Sequence, residues 1–510
     1  MRVPLLRGAN LNTLFADRDD VIRAAALAVL GLASALIYLL LTVRMSFIEF
    51  FPGPGITLDF VKMLGPDWQE NTALLLTSFA GLFVLYGLAL VTLGRGHGPL
   101  SLAALGLSAL AFALVLTFMY PPQAVDFIHN VADARTLWVH GDNAMVVPPN
   151  AHPFPVGQSY GHESAPYGPL WFLLLFPVLL AGDSIQFALH ILKFYTSLYY
   201  LGSAILIFLL ARQLTPGREL FAAALYAWNP FVVLRVAGNG HNDVVMFFFV
   251  LLALWALVNE RWRYLIPLLV ASALIKYVSL MLIPPVVLAG FLMAGNRRLF
   301  LRETAVGLGL ALVLAVACFA FFWEGADTFE IVRRQGDKFI TSTPLVLREQ
   351  LRVRTEISDV TSDSVARWAG IAAFDACYAA LLLSLWRSKA GAIPLIACLS
   401  LMMLTFSFFG VTWYRPWYML WPLTLLPLVP GRWAVGLIVA ISMGGMLPDL
   451  IEQYRHNLDF FREHYLWSVA APVIVAFVPA ALVLLAGWAR TRHSLLSDDG
   501  AGVPLAQPSP

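Results

Sequence analysis

Charge is scarce in this sequence: Asp, Glu, Lys and Arg make up 13% of its 510 residues, against 59% hydrophobic. Soluble domains are about one quarter charged, so a water-soluble globular class is excluded, and a mean hydropathy of +0.75 points to a polytopic membrane protein. There are only three cysteines, Cys318, Cys377 and Cys398, all inside apolar stretches. Their spacing suits neither a disulfide framework nor a zinc site and leaves them core roles. The net charge of +2 carries no sign of a nucleic-acid partner, since basic residues in such a chain are distributed by topology. No repeat of fixed period is present. The first apolar run, Val21 to Val43, lacks a small-residue cleavage site and reads as a retained span. Asp17, Asp19 and Asp20 imitate the paired acids of nucleotide-sugar enzymes, but no α/β nucleotide-binding pattern accompanies them. They are assigned to a solvated cytoplasmic tail, residues 1–21.

What the chain does have is a succession of apolar runs. Roughly 20 residues cross the hydrocarbon. Spans are expected near 21–43, 73–94, 100–119, 191–211, 219–237, 244–258, 264–277, 278–294, 303–322, 369–386, 391–410, 417–430, 434–448 and 467–488. The expected fold is thus all-α and polytopic, with about 14 transmembrane helices in a single domain, residues 22–488. Counted from a cytoplasmic N-terminus, the short connections bearing Arg95, Arg212, Arg218, Arg261, Arg263, Arg297, Arg298, Arg302, Arg387, Lys389, Arg432, Arg490 and Arg492 all fall inside. That is the positive-inside pattern, and it makes residues 489–510 a cytoplasmic disordered tail. The count holds only if Gly168 to Gly182, short and interrupted by Pro177, is juxtamembrane or re-entrant. Exterior loops 120–190 and 323–368 follow, with smaller exterior segments at 44–72, 239–243, 413–415 and 449–466. The 323–368 loop carries Arg333, Arg334, Lys338, Arg348, Arg352 and Arg354, so it is either a solvated cationic loop or a seat for an anionic head group.

The polar residues concentrate in a few places. On a helix, Asp126, Asn130, Asp133 and His140 share one face and Phe127, Val131, Ala134 and Trp138 the other. This predicts an amphipathic helix at the membrane surface with its acids turned away from lipid, serving as general base, metal ligand or solvated face. Asn229-Pro230 and the turn Asn239-Gly240-His241-Asn242-Asp243 put polar groups at membrane depth, where they are costly. Lys276-Tyr277 interrupts an apolar run too long for one span and too short for two, as expected of broken or tilted helices. Thr412 to Tyr418 sets Arg415 among interfacial aromatics.

The order of these segments carries a resemblance. An Asp beyond an early span, an acidic helix, P-Y-x-P-L-W (Pro166, Tyr167, Pro169, Leu170, Trp171), N-P-x(8)-N-G-H-N-D, I-K-Y-x-x-L-x-x-I-P and R-P-W-Y-x-x-W-P-L follow one another between Asp126 and Leu428. Together they resemble the GT-C superfamily of multi-span, polyprenyl-phosphate-sugar-dependent glycosyltransferases, most of all its bacterial polyprenyl-phosphate-mannose mannosyltransferase branch. Two features depart from the family: two further spans precede Asp126, and its paired prolines are reduced to Gly168-Pro169. Asp59, in the first exterior loop, is the alternative acid.

The resemblance implies an inverting hexosyltransferase, mannose favoured, at the exterior face of the cell membrane. Its partners would be a polyprenyl-phosphate sugar donor, a glycan, lipid or protein acceptor, and membrane lipids, with no cofactor and no metal. Asp126 would be the catalytic base. Lys276, Arg415, His241 and Lys193 would hold the donor phosphate, Asp133 or Asp243 would stabilise the oxocarbenium-like centre, and Asn239 and Tyr167 would bind substrate. The alternative is a secondary transporter of a polar or lipid-linked solute, for which broken helices are equally expected.

Overall fold

Long uncharged runs have one stable outcome in a bilayer, a helix that satisfies its own backbone, and the computed structural model of the chain consists of helices joined by turns and loops. It describes residues 18–46, 68–94, 96, 98–121, 126–153, 162–388, 391–454 and 458–497. Among these no strand forms, and the β-bridges are isolated ones, Ser46 with Met119 and Ile340 with Trp413.

In chain order, α1 (Arg18–Arg44), α2 (Trp68–Leu93) and α3 (Pro99–Thr117) precede a 13-residue α4 (Asp126–Trp138) and a short α5 (Pro169–Leu174). The long α6 (Ile185–Leu214) leads to a bent pair, α7 (Glu219–Ala227) and α8 (Pro230–Val233), the latter continuing as a π turn over Leu234–Gly238. Then come α9 (Asp243–Val258), α10 (Leu265–Ala273), α11 (Ile283–Met293) and α12 (Arg297–Phe319). The remaining helices used below are α13 (Thr343–Arg354), α14 (Asp359–Arg387), α15 (Ala392–Thr405), α16 (Leu420–Leu425), α17 (Arg432–Met446), α18 (Pro448–Tyr454) and α19 (Tyr465–Ser497).

Among the described residues nine helices are long and apolar enough to cross a membrane, and the α7–α8 pair, bent by 51°, makes a tenth if it is one span. The protein is an all-α polytopic membrane protein, and among the described residues nine or ten of the 14 expected spans meet the length and apolarity of a crossing helix. The expected spans at 244–258, 264–277, 278–294 and 417–430 are α9, α10, α11 and α16, whose lengths of 16, 9, 11 and 6 residues fall short of the bilayer. Hydropathy counts apolar residues whether lipid or protein faces them, and every residue of α16 is buried in protein. The α14 span is only 11% buried and faces outward, whereas Arg432–Glu452 is 67% buried and central.

The N-terminal acids also differ from expectation. Helix α1 begins at Arg18, inside the stretch assigned to the tail, and Asp20 is buried rather than solvated. Its carboxylate accepts hydrogen bonds from Leu100 N (3.0 Å), Ser101 N (3.2 Å) and Ser101 Oγ (2.5 Å), capping α3, where Gly98 offers no side chain. Asp17 lies outside the described residues. At the other end α19 continues to Ser497, past the expected start of the tail at 489.

The loops are bound to one another, so they gather at one end of the bundle. Asn143 donates to the Phe322 carbonyl (3.0 Å), and Lys338 pairs with Glu163. Ile340 N donates to Thr412 O (2.9 Å) and Tyr414 N to Ile340 O (3.0 Å), while Thr341 Oγ1 donates to Glu452 (2.9 Å).

Candidate functional site

The helix break after α10 is the foundation of the site. Lys276 is extended (φ −150°, ψ 118°), so the last carbonyls of α10 need partners outside the helix. The chain before α5 supplies them: Gly168 N donates to Ile275 O and Leu170 N to Leu274 O, both at 3.0 Å. A Cβ on residue 168 would stand 2.2 Å from Leu274 O, so the pairing requires glycine, which accounts for the family departure at Gly168-Pro169. This contact carries the neighbouring Tyr167 ring to 5.9 Å from Lys276 Nζ.

Lys276 Nζ lies 2.9 Å from Asp243 Oδ1, which also accepts from Trp421 Nε1 at 2.6 Å. The rings of Tyr418 (4.9 Å) and Trp421 (5.6 Å) flank the ammonium, so cation–π attraction adds to the ion pair. Asp243 opens α9 after a turn in which Gly240 takes φ +69°, a conformation glycine adopts without penalty. Asp243 itself is fully buried, and its Oδ2 has no partner.

Asp126 opens α4 and is partly buried. Burial raises its carboxyl above the usual range, opposed by Arg415 and Lys276, while Asp243 pushes it further up and a hydrogen bond from Tyr167 pulls it down. The five residues Asp126, Tyr167, Asp243, Lys276 and Arg415 therefore form one electrostatic group. Helix α4 is not the surface helix expected from its pattern. Its polar face points into protein: Asn130 accepts from Trp171 Nε1 (2.8 Å), and Asp133 is completely buried. The apolar face is buried too, except that Trp138 is exposed. An amphipathic pattern thus separates two environments without saying which is water.

Neither carboxylate oxygen of Asp133 has a partner, and burial pushes its carboxyl well above the usual range. On the same helix burial lowers His129 to about 4. Asp133 lies close enough to Tyr167 to act on its phenol.

Arg415 stands between the rings of Trp413 (5.4 Å) and Trp417 (5.8 Å) and 3.7 Å from Glu452. His241 stacks on Trp417 at 4.2 Å, so the 239–243 turn and the 412–418 segment meet. Its imidazole is held well below the usual range by burial and by the charges of Arg235 and Lys276. Buried polar atoms without partners collect here: Asn239 Nδ2, His241 Nε2, Asn242 Nδ2 and Asp243 Oδ2. Unsatisfied buried groups are rare in finished cores, and a cluster of them is a reason to look for a ligand here.

Three charged residues beside the site, Arg235, Asp449 and Glu452, escape sequence reasoning. Arg235, fully buried on the π turn, pairs with Asp449 at 2.8 Å and donates to Gly445 O at 3.2 Å. Its signal was visible, a lone arginine inside the apolar run FVVLRVAG. Asp449 and Glu452 carry no comparable mark, lying at the end of a span.

Lys193 is not among the residues gathered around Asp126, Lys276 and Arg415. Its Nζ donates to Leu116 O (2.6 Å) and Met119 O (2.5 Å), capping the end of α3 from inside the core. Asp59 lies outside the described residues. Among the described residues no group of three His, Cys, Asp or Glu is arranged to hold a metal ion.

Chemically, a partly buried carboxylate at a helix start faces two cations, with unpaired donors around them. Such a set can take a proton from a hydroxyl and bind an anion.

A family model described as alpha-(1->6)-mannopyranosyltransferase, N-terminal domain, matches residues 28–292. That match includes Asp126, Asp133, Tyr167, Lys193, Asn239, His241, Asp243 and Lys276 and leaves Arg415 outside. No curated protein matches the chain.

Proposed function

From the premise that the chain belongs to the alpha-(1->6)-mannopyranosyltransferase family, and is therefore a membrane-embedded glycosyltransferase acting on mannose, we propose that it moves mannose with inversion from a polyprenyl-phosphate donor to a hydroxyl on the exterior face. The termini are then cytoplasmic, and the end of the bundle bearing Asp126 faces outward.

In this reading Asp126 takes the proton of the acceptor hydroxyl as its oxygen forms the bond to the anomeric carbon. The bond from that carbon to the phosphate oxygen breaks, and polyprenyl phosphate leaves with the bonding electron pair. A phosphate monoester leaves without protonation if its charge is stabilised, and Lys276 and Arg415 are the cations for that purpose. Asp133, whose carboxyl burial pushes up, lies beside Tyr167 with both oxygens unpartnered and is a second polar contact for the sugar, which the free amides of Asn239 and Asn242 orient. The observation that carries the reading is the shared electrostatic group of Asp126, Lys276 and Arg415.

The test is transfer of labelled mannose in proteoliposomes containing polyprenyl-phosphate mannose. Asp126→Asn is expected to reduce turnover by 10² to 10⁴-fold with donor retention near wild type. Near-normal turnover would remove Asp126 from the role of base, and transport of label without transfer would replace the enzyme reading altogether.

A further inference from the structure

The 323–368 loop is less cationic than its composition suggests. Arg333 and Arg334 pair with Glu330, and Lys338 pairs with Glu163. Arg348 pairs with Glu349 and Asp363, and Arg352 with Glu349 and Asp359. Arg367 pairs with Asp337. Arg354, the last residue of α13, is different: it is exposed and has no carboxylate within ion-pair distance among the described residues.

Arg354 borders a cavity of about 500 Å³ between α13 and the start of α19. At one end are Gln350, Arg354 and His464, and down the other wall run Leu466, Trp467 and Ile474. No Asp or Glu lines it. His464 is held in place, with Nδ1 donating to the Phe460 carbonyl oxygen at 2.9 Å and its ring stacked on Phe460 at 4.7 Å. Leu466 and Ile474 lie on one face of a membrane-spanning helix, eight residues or about 12 Å apart. Trp467 is 53% and Ile474 40% exposed, so lipid reaches this wall. A second cavity across Tyr465 carries Arg348, Arg352 and Arg462, but all three are already ion-paired.

A cleft with an unpaired cation at the polar end of a span and an apolar wall running into the membrane has the shape and charge of one phospholipid. We propose that it binds an acidic phospholipid, the phosphodiester against Arg354 and the Gln350 amide and an acyl chain along Leu466, Trp467 and Ile474. This site is separate from the Asp126 cluster, and the proposal stands whatever reaction that cluster performs. Juxtamembrane basic residues attract anionic lipid with about 1 kcal/mol each, or roughly fivefold in affinity.

The full-length protein, purified in detergent, is exposed in turn to phosphatidylglycerol, phosphatidylcholine and polyprenyl phosphate, and retained lipid is counted by native mass spectrometry. Wild type is expected to retain phosphatidylglycerol over phosphatidylcholine. Arg354→Ala should cut that preference about fivefold, and Arg354→Glu should abolish it while the thermal midpoint stays at the wild-type value. Equal retention of the two phospholipids, or a preference untouched by Arg354→Glu, overturns the proposal. So does an Arg354-dependent preference for polyprenyl phosphate alone, which would assign the cleft to the donor.

Discussion

Lys276 and Asp243 form an ion pair of 2.9 Å in which the carboxylate is wholly buried and the ammonium nearly so. Removing one partner of such a pair leaves an unpaired buried charge, at a cost of about 3–5 kcal/mol, whereas replacing both is often close to neutral. Lys276→Met and Asp243→Asn are each expected to lower the thermal midpoint markedly, and the double variant to recover most of the loss. Mannose transfer should stay depressed, by roughly 10² to 10³-fold, in every variant lacking Lys276. Recovery of transfer together with stability in the double variant would reduce Lys276 to a structural role.

The position of Arg415 gives a pH test. Burial raises the Asp126 carboxyl and Arg415 opposes that rise. A base works only when ionised, so activity is lost as pH falls through the folded-state value, which already lies above the ordinary carboxylate range. Arg415→Ala removes the opposing cation and should move the acid limb of kcat/KM to higher pH, with Arg415→Lys in between. A limb that stays in place in Arg415→Ala separates Arg415 from Asp126.

Gly168→Ala tests whether backbone pairing positions the site. Its Cβ would meet the Leu274 carbonyl oxygen at 2.2 Å, a backbone atom that can yield only if the 168–170 segment and the α10 break move apart. Overpacking of this kind costs about 1–3 kcal/mol. The same movement draws Tyr167 away from Asp126, so turnover should fall further than stability alone explains, as measured by activity per folded molecule. Wild-type turnover would show that Tyr167 is placed by other contacts.

Asp20 supplies the contrasting case. Asp20→Ala removes three hydrogen bonds at the start of α3 and should destabilise by about 1–2 kcal/mol. Transfer per folded molecule should be unchanged. A specific loss of activity would revive a chemical role for the N-terminal acids.

The sequence by itself determined the membrane class, the broken helix at Lys276 and the polar segments from which the site is drawn. These follow from local rules: apolar run length sets what can span, and a charged or strongly polar group inside such a run is too costly to be incidental. Only the tertiary structure decided how long each apolar helix runs, how much of it protein covers and what each polar group meets. Helices α9, α10 and α16 are as oily as spans because protein covers most of their residues, and hydropathy is blind to the difference between lipid and protein. Helix α4 shows the same limit in its orientation, with Asn130 and Asp133 on a polar face that looks inward. Lys193 and Arg235 are both buried cations in apolar stretches, yet one caps α3 and the other pairs with Asp449 beside the site. Their partners lie far away along the chain, and no local pattern encodes a contact made only when distant helices pack.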